Sequence, residues 1–168
     1  MTHAGCYGVK IFGVDKIAFS GKDSTIPKLG MKIIKEINKT IKKMGYDEAI
    51  RVWRIQARDL IMTKNGADCQ LKQKTIQDIL SNGKAYDGYT SILDSYICCY
   101  GYILNLDEER FEIYLGNQLK YHNRGRFSKN GFFGERRYKA CALYADIPLR
   151  DMASFDPYKF LLPDDVID

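Results

Sequence analysis

Two short apolar runs near the start of the chain have the pattern of paired β-strands. Residues 6–12 read CYGVKIF and residues 16–20 read KIAFS, so both segments combine aliphatic and aromatic side chains suited to a sheet. Gly13, Val14 and Asp15 lie between them. The sequence therefore predicts an opening β-hairpin with a three-residue connection.

Apolar residues then recur every three or four positions, the spacing of a helix that buries one face. Between residues 26 and 44 they are Leu29, Ile33, Ile37, Ile41 and Met44. Pro27 suits the first turn of this helix, and Gly45 suits its end. Asp23, Ser24 and Thr25 are candidate N-terminal caps. A long amphipathic helix over residues 26–44 is therefore expected.

The spacing of apolar residues predicts two more helices after the first. Residues 47–62 place Trp53 on an apolar face, where we expect it in the core rather than against a ligand. Residues 71–80 form a shorter helical segment that ends at Asn82 and Gly83. A loop over residues 63–68 separates these two helices.

The remaining strands are predicted in the C-terminal half. Residues 96–105 are apolar on both alternating faces, and residues 110–115 alternate, so they form a hairpin across the turn at residues 106–109. A further strand is expected over residues 138–144. This order predicts an α+β fold: a mainly antiparallel sheet built from an N-terminal hairpin and a C-terminal hairpin plus one strand, with two or three helices packed on it.

Length and composition favour one domain over residues 1–168, with an acidic C-terminal segment over residues 146–168. The 168 residues are 45% apolar and 28% charged, and they include no apolar run long enough to cross a membrane and no signal-type start. Five cysteines without a CxxC pair indicate free, mostly buried thiols in a reducing compartment, so we expect a cytoplasmic protein. No nucleotide-binding or zinc motif is present, and we predict no cofactor and no metal.

The net charge of +5 is unevenly distributed. Residues 146–168 carry −4 and residues 1–145 carry +9. The acidic segment could stay clear of a basic working face or cover it in the free protein, and simple solubility explains it equally well.

Two segments concentrate the positive charge. At 100° per residue, one side of the first predicted helix carries Lys28, Lys32, Lys35, Lys39 and Lys42. Residues 120–139 hold seven Lys or Arg and one acid among five aromatic residues and three glycines. Cations beside stacking rings are typical of single-stranded nucleic-acid binding, although a hydrophilic connection or an acidic protein partner would give the same composition. The candidate contact residues are Lys32, Lys35, Lys39, Arg124, Arg126, Arg136 and Arg137, with Tyr121 and Phe127 as stacking rings.

Catalytic patterns are sparse. Removal of Met1 would expose Thr2 as an N-terminal nucleophile, and Cys6 could pair with one of the two histidines, so a small hydrolase or nucleotide-processing enzyme is an alternative hypothesis. No further catalytic motif accompanies either arrangement, and we name no catalytic residue.

Several stretches resemble an uncharacterised family of small proteins from phages, mobile elements and bacteria. Its members begin MGTRG, continue with NHxDSYPxGLG and later show a hairpin of the type YVIDLD…FEVYKG. The matching residues here are 1–5, 20–30, 100–107, 111–116, 125–127 and 141–143. Ser20 and Gly21 replace the family's Asn-His pair, whereas Asp23 and Ser24 match and could line a shared site. The resemblance implies a phage or mobile-element setting, a bacterial host cytoplasm and an anti-defence role.

The leading hypothesis is a non-enzymatic basic binding module. It would modulate a nucleic acid or a nucleoprotein machine, as an anti-CRISPR-like inhibitor encoded by a phage, and it would not contact a membrane. A module that binds only an acidic protein is the second alternative beside the enzyme.

Overall fold

The computed structural model describes residues 3–64, 75–130 and 138–156. In chain order the strands are β1 (Gly5–Ile11), β2 (Val14–Ser20), β3 (Ile61–Thr63), β4 (Lys84–Tyr86), β5 (Tyr100–Asn105), β6 (Arg110–Leu115) and β7 (Ala142–Pro148). The α-helices are α1 (Met31–Met44), α2 (Tyr46–Asp59), α3 (Ile76–Asn82) and α4 (Tyr89–Ile92). A π-helical turn at Ile26–Gly30 precedes α1, and 3-10 turns occupy Arg126–Asn130 and Leu149–Ser154.

The main sheet has five strands in the order β2-β1-β5-β6-β7, and β3 pairs with β4 in a small second sheet. The pairs β1–β2, β5–β6 and β6–β7 are antiparallel, whereas β5 runs parallel to β1. The predicted α+β class and both hairpins are confirmed. The sheet is mixed, because the chain passes through α1, α2 and α3 before it returns beside β1 in the same direction.

The tip of the first hairpin has two residues instead of the predicted three. Phe12 and Gly13 both have positive φ, 51° and 73°, as a two-residue turn with the twist of its strands requires, and β2 therefore begins at Val14. The Asp107 carboxylate accepts hydrogen bonds from the Phe12 and Gly13 amides at 2.7 and 2.8 Å. This contact joins the tips of the two hairpins.

The long first helix is present, but its start differs from the prediction. The chain enters through the π-helical turn, and Thr25 precedes it without a side-chain capping bond. The neighbouring candidate caps act elsewhere: Asp23 pairs with Lys28 at 2.7 Å, and the Ser24 hydroxyl donates to the Lys22 carbonyl at 3.3 Å. The capping prediction was wrong because these side chains have closer local partners.

The second helix ends at Asp59, three residues earlier than expected. Lys16 on β2 donates from Nζ to the carbonyls of Ala57, Arg58 and Leu60 at 2.7, 3.0 and 2.9 Å, so an ammonium group satisfies this helix end. Ile61 then begins β3. Trp53 is 2% exposed, which confirms its core position.

The two faces of the main sheet support separate cores. Tyr7, Val9 and Tyr102 point to the face covered by α1, α2 and α3. Cys6, Ile103 and Tyr114 point to the other face, covered by residues 89–98, 116–127 and 140–141.

Strand boundaries differ on the second face. β5 begins at Tyr100, four residues later than predicted, because residues 95–97 form a turn, and β7 occupies residues 142–148 instead of 138–144. Among the described cysteines, Cys6, Cys98 and Cys141 are free and buried and Cys99 is free and half-buried, as predicted.

Candidate nucleic-acid interface

A stripe of four lysines occupies the outer face of α1. Its members, called the lysine stripe below, are Lys32, Lys35, Lys39 and Lys42, and all four are exposed. The spacings of three and four residues keep them on one side of the helix, opposite the buried Ile33 and Ile37. The stripe is about 15 Å long at 1.5 Å of rise per residue.

Little negative charge faces the lysine stripe. Within the described residues, none of its members forms an ion pair, and Glu36 is the one acidic residue in α1. Burial raises the pKa of the half-buried Glu36 carboxyl, and this effect outweighs the lowering by Thr75 and by nearby lysines. The stripe therefore keeps most of its positive field.

The outer face of α1 also has no large apolar anchor along the stripe. Met44, at the helix end, is the exposed large hydrophobic residue of this helix and is 42% exposed. The face is a row of flexible cations, which can contact a repeating anion without a fitted pocket.

The predicted basic segment divides into residues that face solvent and residues that do not. Tyr121 is 77% exposed and Arg124 is exposed, so both are available to a partner. Arg136 and Arg137 lie outside the described residues.

Arg126 and Phe127 are corrected by the structure, because both serve the interior. The Arg126 guanidinium donates to Asp15 Oδ2 at 2.6 Å and to Glu112 Oε1 at 2.8 Å. Desolvation opposes its charge, but bonds to the two carboxylates outweigh desolvation and raise the pKa of Arg126. The Phe127 ring is 1% exposed and packs edge-on against Tyr114 at 5.0 Å. The Phe127 ring is therefore closed to a nucleic acid, and the Arg126 guanidinium, whose side chain is 26% exposed, is held by two carboxylates.

The structure brings the segment that contains Tyr121 together with Tyr96, an aromatic residue that the sequence analysis missed. Backbone bonds join three segments: Lys139 donates to the Gln118 carbonyl at 2.7 Å, and Ser95 donates to the Lys139 carbonyl at 3.0 Å. We call the exposed patch on these segments the tyrosine surface. Its apolar members are Tyr96, Ile97, Leu119, Tyr121 and Tyr138, and its cations are Lys120, Arg124 and Lys139.

Ring and cation contacts order the tyrosine surface. The Lys139 ammonium lies 4.2 Å from the centre of the Tyr121 ring, and the Tyr96 and Tyr138 rings are 5.0 Å apart at 37°. Tyr96 nevertheless remains 64% exposed. Five of the patch residues lie within the basic segment 120–139, whereas Tyr96 and Ile97 lie more than 20 positions before it, so no local pattern in the sequence indicates that they join the patch.

The two basic surfaces lie on opposite sides of the main sheet. The lysine stripe is on α1, which covers the first core, whereas the tyrosine surface surrounds Cys98, Ala140 and Cys141 of the second core. One flat partner therefore cannot contact both surfaces.

The positions of the candidate catalytic residues give little support to the hypothesis that the protein is an enzyme. Cys6 is fully buried, and burial raises the pKa of its thiol, which disfavours the thiolate that a nucleophile needs. Thr2 lies outside the described residues. Asp23 is exposed and Ser24 is buried, so they do not form a common site. A cavity between Ile33 and Trp53 has room for about one water.

The described part of the chain contains no cluster of three or more metal-ligating side chains, and none of its helices is long and apolar enough to cross a bilayer. Comparison of the chain with protein-family models, with curated proteins and with solved structures gives no match.

Proposed function

We propose that the protein is a non-enzymatic binding module that contacts the phosphate backbone of a nucleic-acid duplex through the lysine stripe. The supporting observation is a row of exposed lysines without ion pairs among the described residues, on a helix whose one carboxyl is half-buried. Lysines that neutralise phosphates release condensed counterions, and this release provides affinity without base recognition.

The composition of the stripe favours phosphates over an acidic protein. Protein interfaces are depleted in lysine at their centres and depend on a few buried aromatic or aliphatic anchors. Met44 lies at the end of α1 and the stripe itself offers no such anchor. A polyphosphate chain needs none, because each lysine contacts one group of a repeating series.

The resemblance to phage and mobile-element proteins extends the proposal to the target. The duplex would belong to a nucleoprotein machine of a bacterial host, which the module would inhibit as an anti-defence protein in the host cytoplasm. This extension depends on the resemblance, whereas the duplex contact depends on the lysine stripe.

The test is a fluorescence-anisotropy titration of a labelled 20-base-pair duplex between 50 and 200 mM salt. The variant is Lys32→Glu/Lys35→Glu/Lys39→Glu. The control, Arg58→Glu/Lys64→Glu/Lys84→Glu, makes the same change in net charge at exposed positions outside α1.

Wild type should bind with a steep salt dependence, and the stripe variant should lose about 2.7 from the slope of log affinity against log salt, since each phosphate contact contributes about 0.9. The control should keep most of the wild-type slope. Absence of wild-type binding at 50 mM salt, or equal losses in both variants, would contradict the proposal.

A further inference from the structure

The tyrosine surface combines exposed rings with cations in a fixed arrangement that the duplex contact does not use. Tyr96 and Tyr121 are the two most exposed rings of the patch, at 64% and 77%. Each is backed on one side by a residue of the same short segment: Tyr138 packs against Tyr96, and the Lys139 ammonium covers Tyr121. Each ring thus has support behind it and a face open to solvent.

The backbone beneath the rings is hydrogen-bonded. Lys139 bonds through its amide to Gln118 and through its carbonyl to Ser95, and Asn117 donates to the Ser95 carbonyl at 2.8 Å. The Gln118 amide also donates to the Ser95 hydroxyl at 2.8 Å in a buried position. A ligand that stacks on Tyr96 and Tyr121 therefore meets rings already in place and loses less conformational entropy on binding.

The exposed charge of the patch is mainly positive. Lys120, Arg124 and Lys139 belong to the patch, whereas the neighbouring Asp94 carboxylate is 9% exposed and accepts a hydrogen bond from the Tyr96 amide at 3.1 Å. Exposed rings with cations beside them suit a ligand that alternates flat bases with phosphates.

We infer that the tyrosine surface binds an unpaired nucleic-acid strand, whose bases stack on Tyr96 and Tyr121 while Lys120, Arg124 and Lys139 contact its phosphates. The inference rests on the proposed function in one respect, that the ligand is a nucleic acid. It adds unpaired strands as a class of ligand, because the bases of a duplex are stacked on one another and cannot present their faces to these rings. Since the lysine stripe lies on the other side of the sheet, the protein can hold a duplex and an unpaired strand at once.

The test compares two labelled 12-nucleotide strands, one of thymidines and one abasic, which carry the same phosphates but differ in the presence of bases. Wild type should bind the thymidine strand at least tenfold more tightly at 50 mM salt. Tyr121→Ala and Tyr96→Ala should each weaken that binding about 5- to 150-fold, the range for one stacked base, and should leave abasic binding unchanged. Tyr121→Phe should retain the affinity, because it keeps the ring.

Tyr86→Ala is the matched control, since Tyr86 is 37% exposed on β4, away from the patch. Equal affinity for the two strands, absence of binding to the thymidine strand, or an equal loss in Tyr86→Ala would overturn the inference. The variant Lys32→Glu/Lys35→Glu/Lys39→Glu separates the two proposals: it should weaken duplex binding and reduce its salt dependence, and it should retain the preference for the thymidine strand over the abasic one.

Discussion

Replacing Arg126 with methionine should destabilise the fold severely, because this cation, whose side chain is 26% exposed, is the counterion of two buried carboxylates. Its guanidinium pairs with Asp15 at 2.6 Å and with Glu112 at 2.8 Å, and the two carboxylate side chains are only 9% and 8% exposed. The substitution leaves two buried carboxylates without their counterion. Breaking a buried pair in this way costs about 3–5 kcal/mol. At roughly 2–4 °C per kcal/mol for a chain of this size, the melting temperature should fall by about 6–20 °C.

The matched control is Arg110→Met. Arg110 also pairs with a carboxylate on the same sheet, but its side chain is 33% exposed and that of its partner Asp146 is 37% exposed. Water screens this pair, so we expect a loss of about 1 kcal/mol or less. Urea unfolding of both variants, followed by circular dichroism, measures the difference.

A neutral replacement tests the cause of the Arg126 effect. The triple variant Asp15→Asn/Glu112→Gln/Arg126→Met removes the uncompensated charge and should recover most of the stability lost in Arg126→Met. A loss in Arg126→Met no larger than that in Arg110→Met would refute the reasoning.

Three further predictions concern single side chains. Phe12→Gly should raise the free energy of unfolding, measured by urea denaturation, by about 1 kcal/mol. Phe12 has a φ of 51°, which glycine adopts without strain, and its side chain is 74% exposed, so little burial is lost. A lower free energy of unfolding would contradict this. Burial and the bond to Glu109 raise the pKa of Tyr46 to about 12, so unfolding releases a proton, and wild type should lose stability between about pH 10 and 12. Burial also raises the pKa of Tyr102 and Tyr114, so Tyr46→Phe should lose less stability over this range than wild type does, and identical pH profiles would count against it. In a Cys69→Ser background the folded protein should react with Ellman's reagent at Cys99 alone. Burial raises the pKa of all four described thiols, but Cys99 is half-buried whereas the other three are buried; rapid reaction of all four would disprove the prediction.

Elements with a strong local pattern could be predicted from the sequence. The apolar spacing of α1 and the β5–β6 hairpin both depend on neighbours within about 20 residues, and both are confirmed. The parallel pairing of β1 with β5 could not be predicted, because it joins residues about 95 positions apart, such as Gly5 and Tyr100. Nothing in the local sequence specifies that β5 enters beside β1.

The candidate site could be predicted only in part, because it too depends on contacts between residues that are distant in the sequence. Periodicity alone placed Lys32, Lys35 and Lys39 on a solvent face, and they are exposed. Charge composition does not distinguish an arginine in water from one paired with distant carboxylates, and so the pairing of Arg126 with Asp15 and Glu112 was not predicted. Tyr96 was missed because a hydrogen bond between the remote residues Ser95 and Lys139 brings it to the patch.

The most direct test of the central claim is a lysine footprint. The protein would be treated with an amine-acetylating reagent at 50 mM salt, with and without a 20-base-pair duplex, and each lysine quantified by mass spectrometry. The duplex should protect Lys32, Lys35 and Lys39 while Lys84 on β4 is modified at the same rate in both samples. Equal modification of the stripe with and without duplex, in a sample where anisotropy shows the duplex bound, would contradict the assignment of the lysine stripe as the nucleic-acid contact.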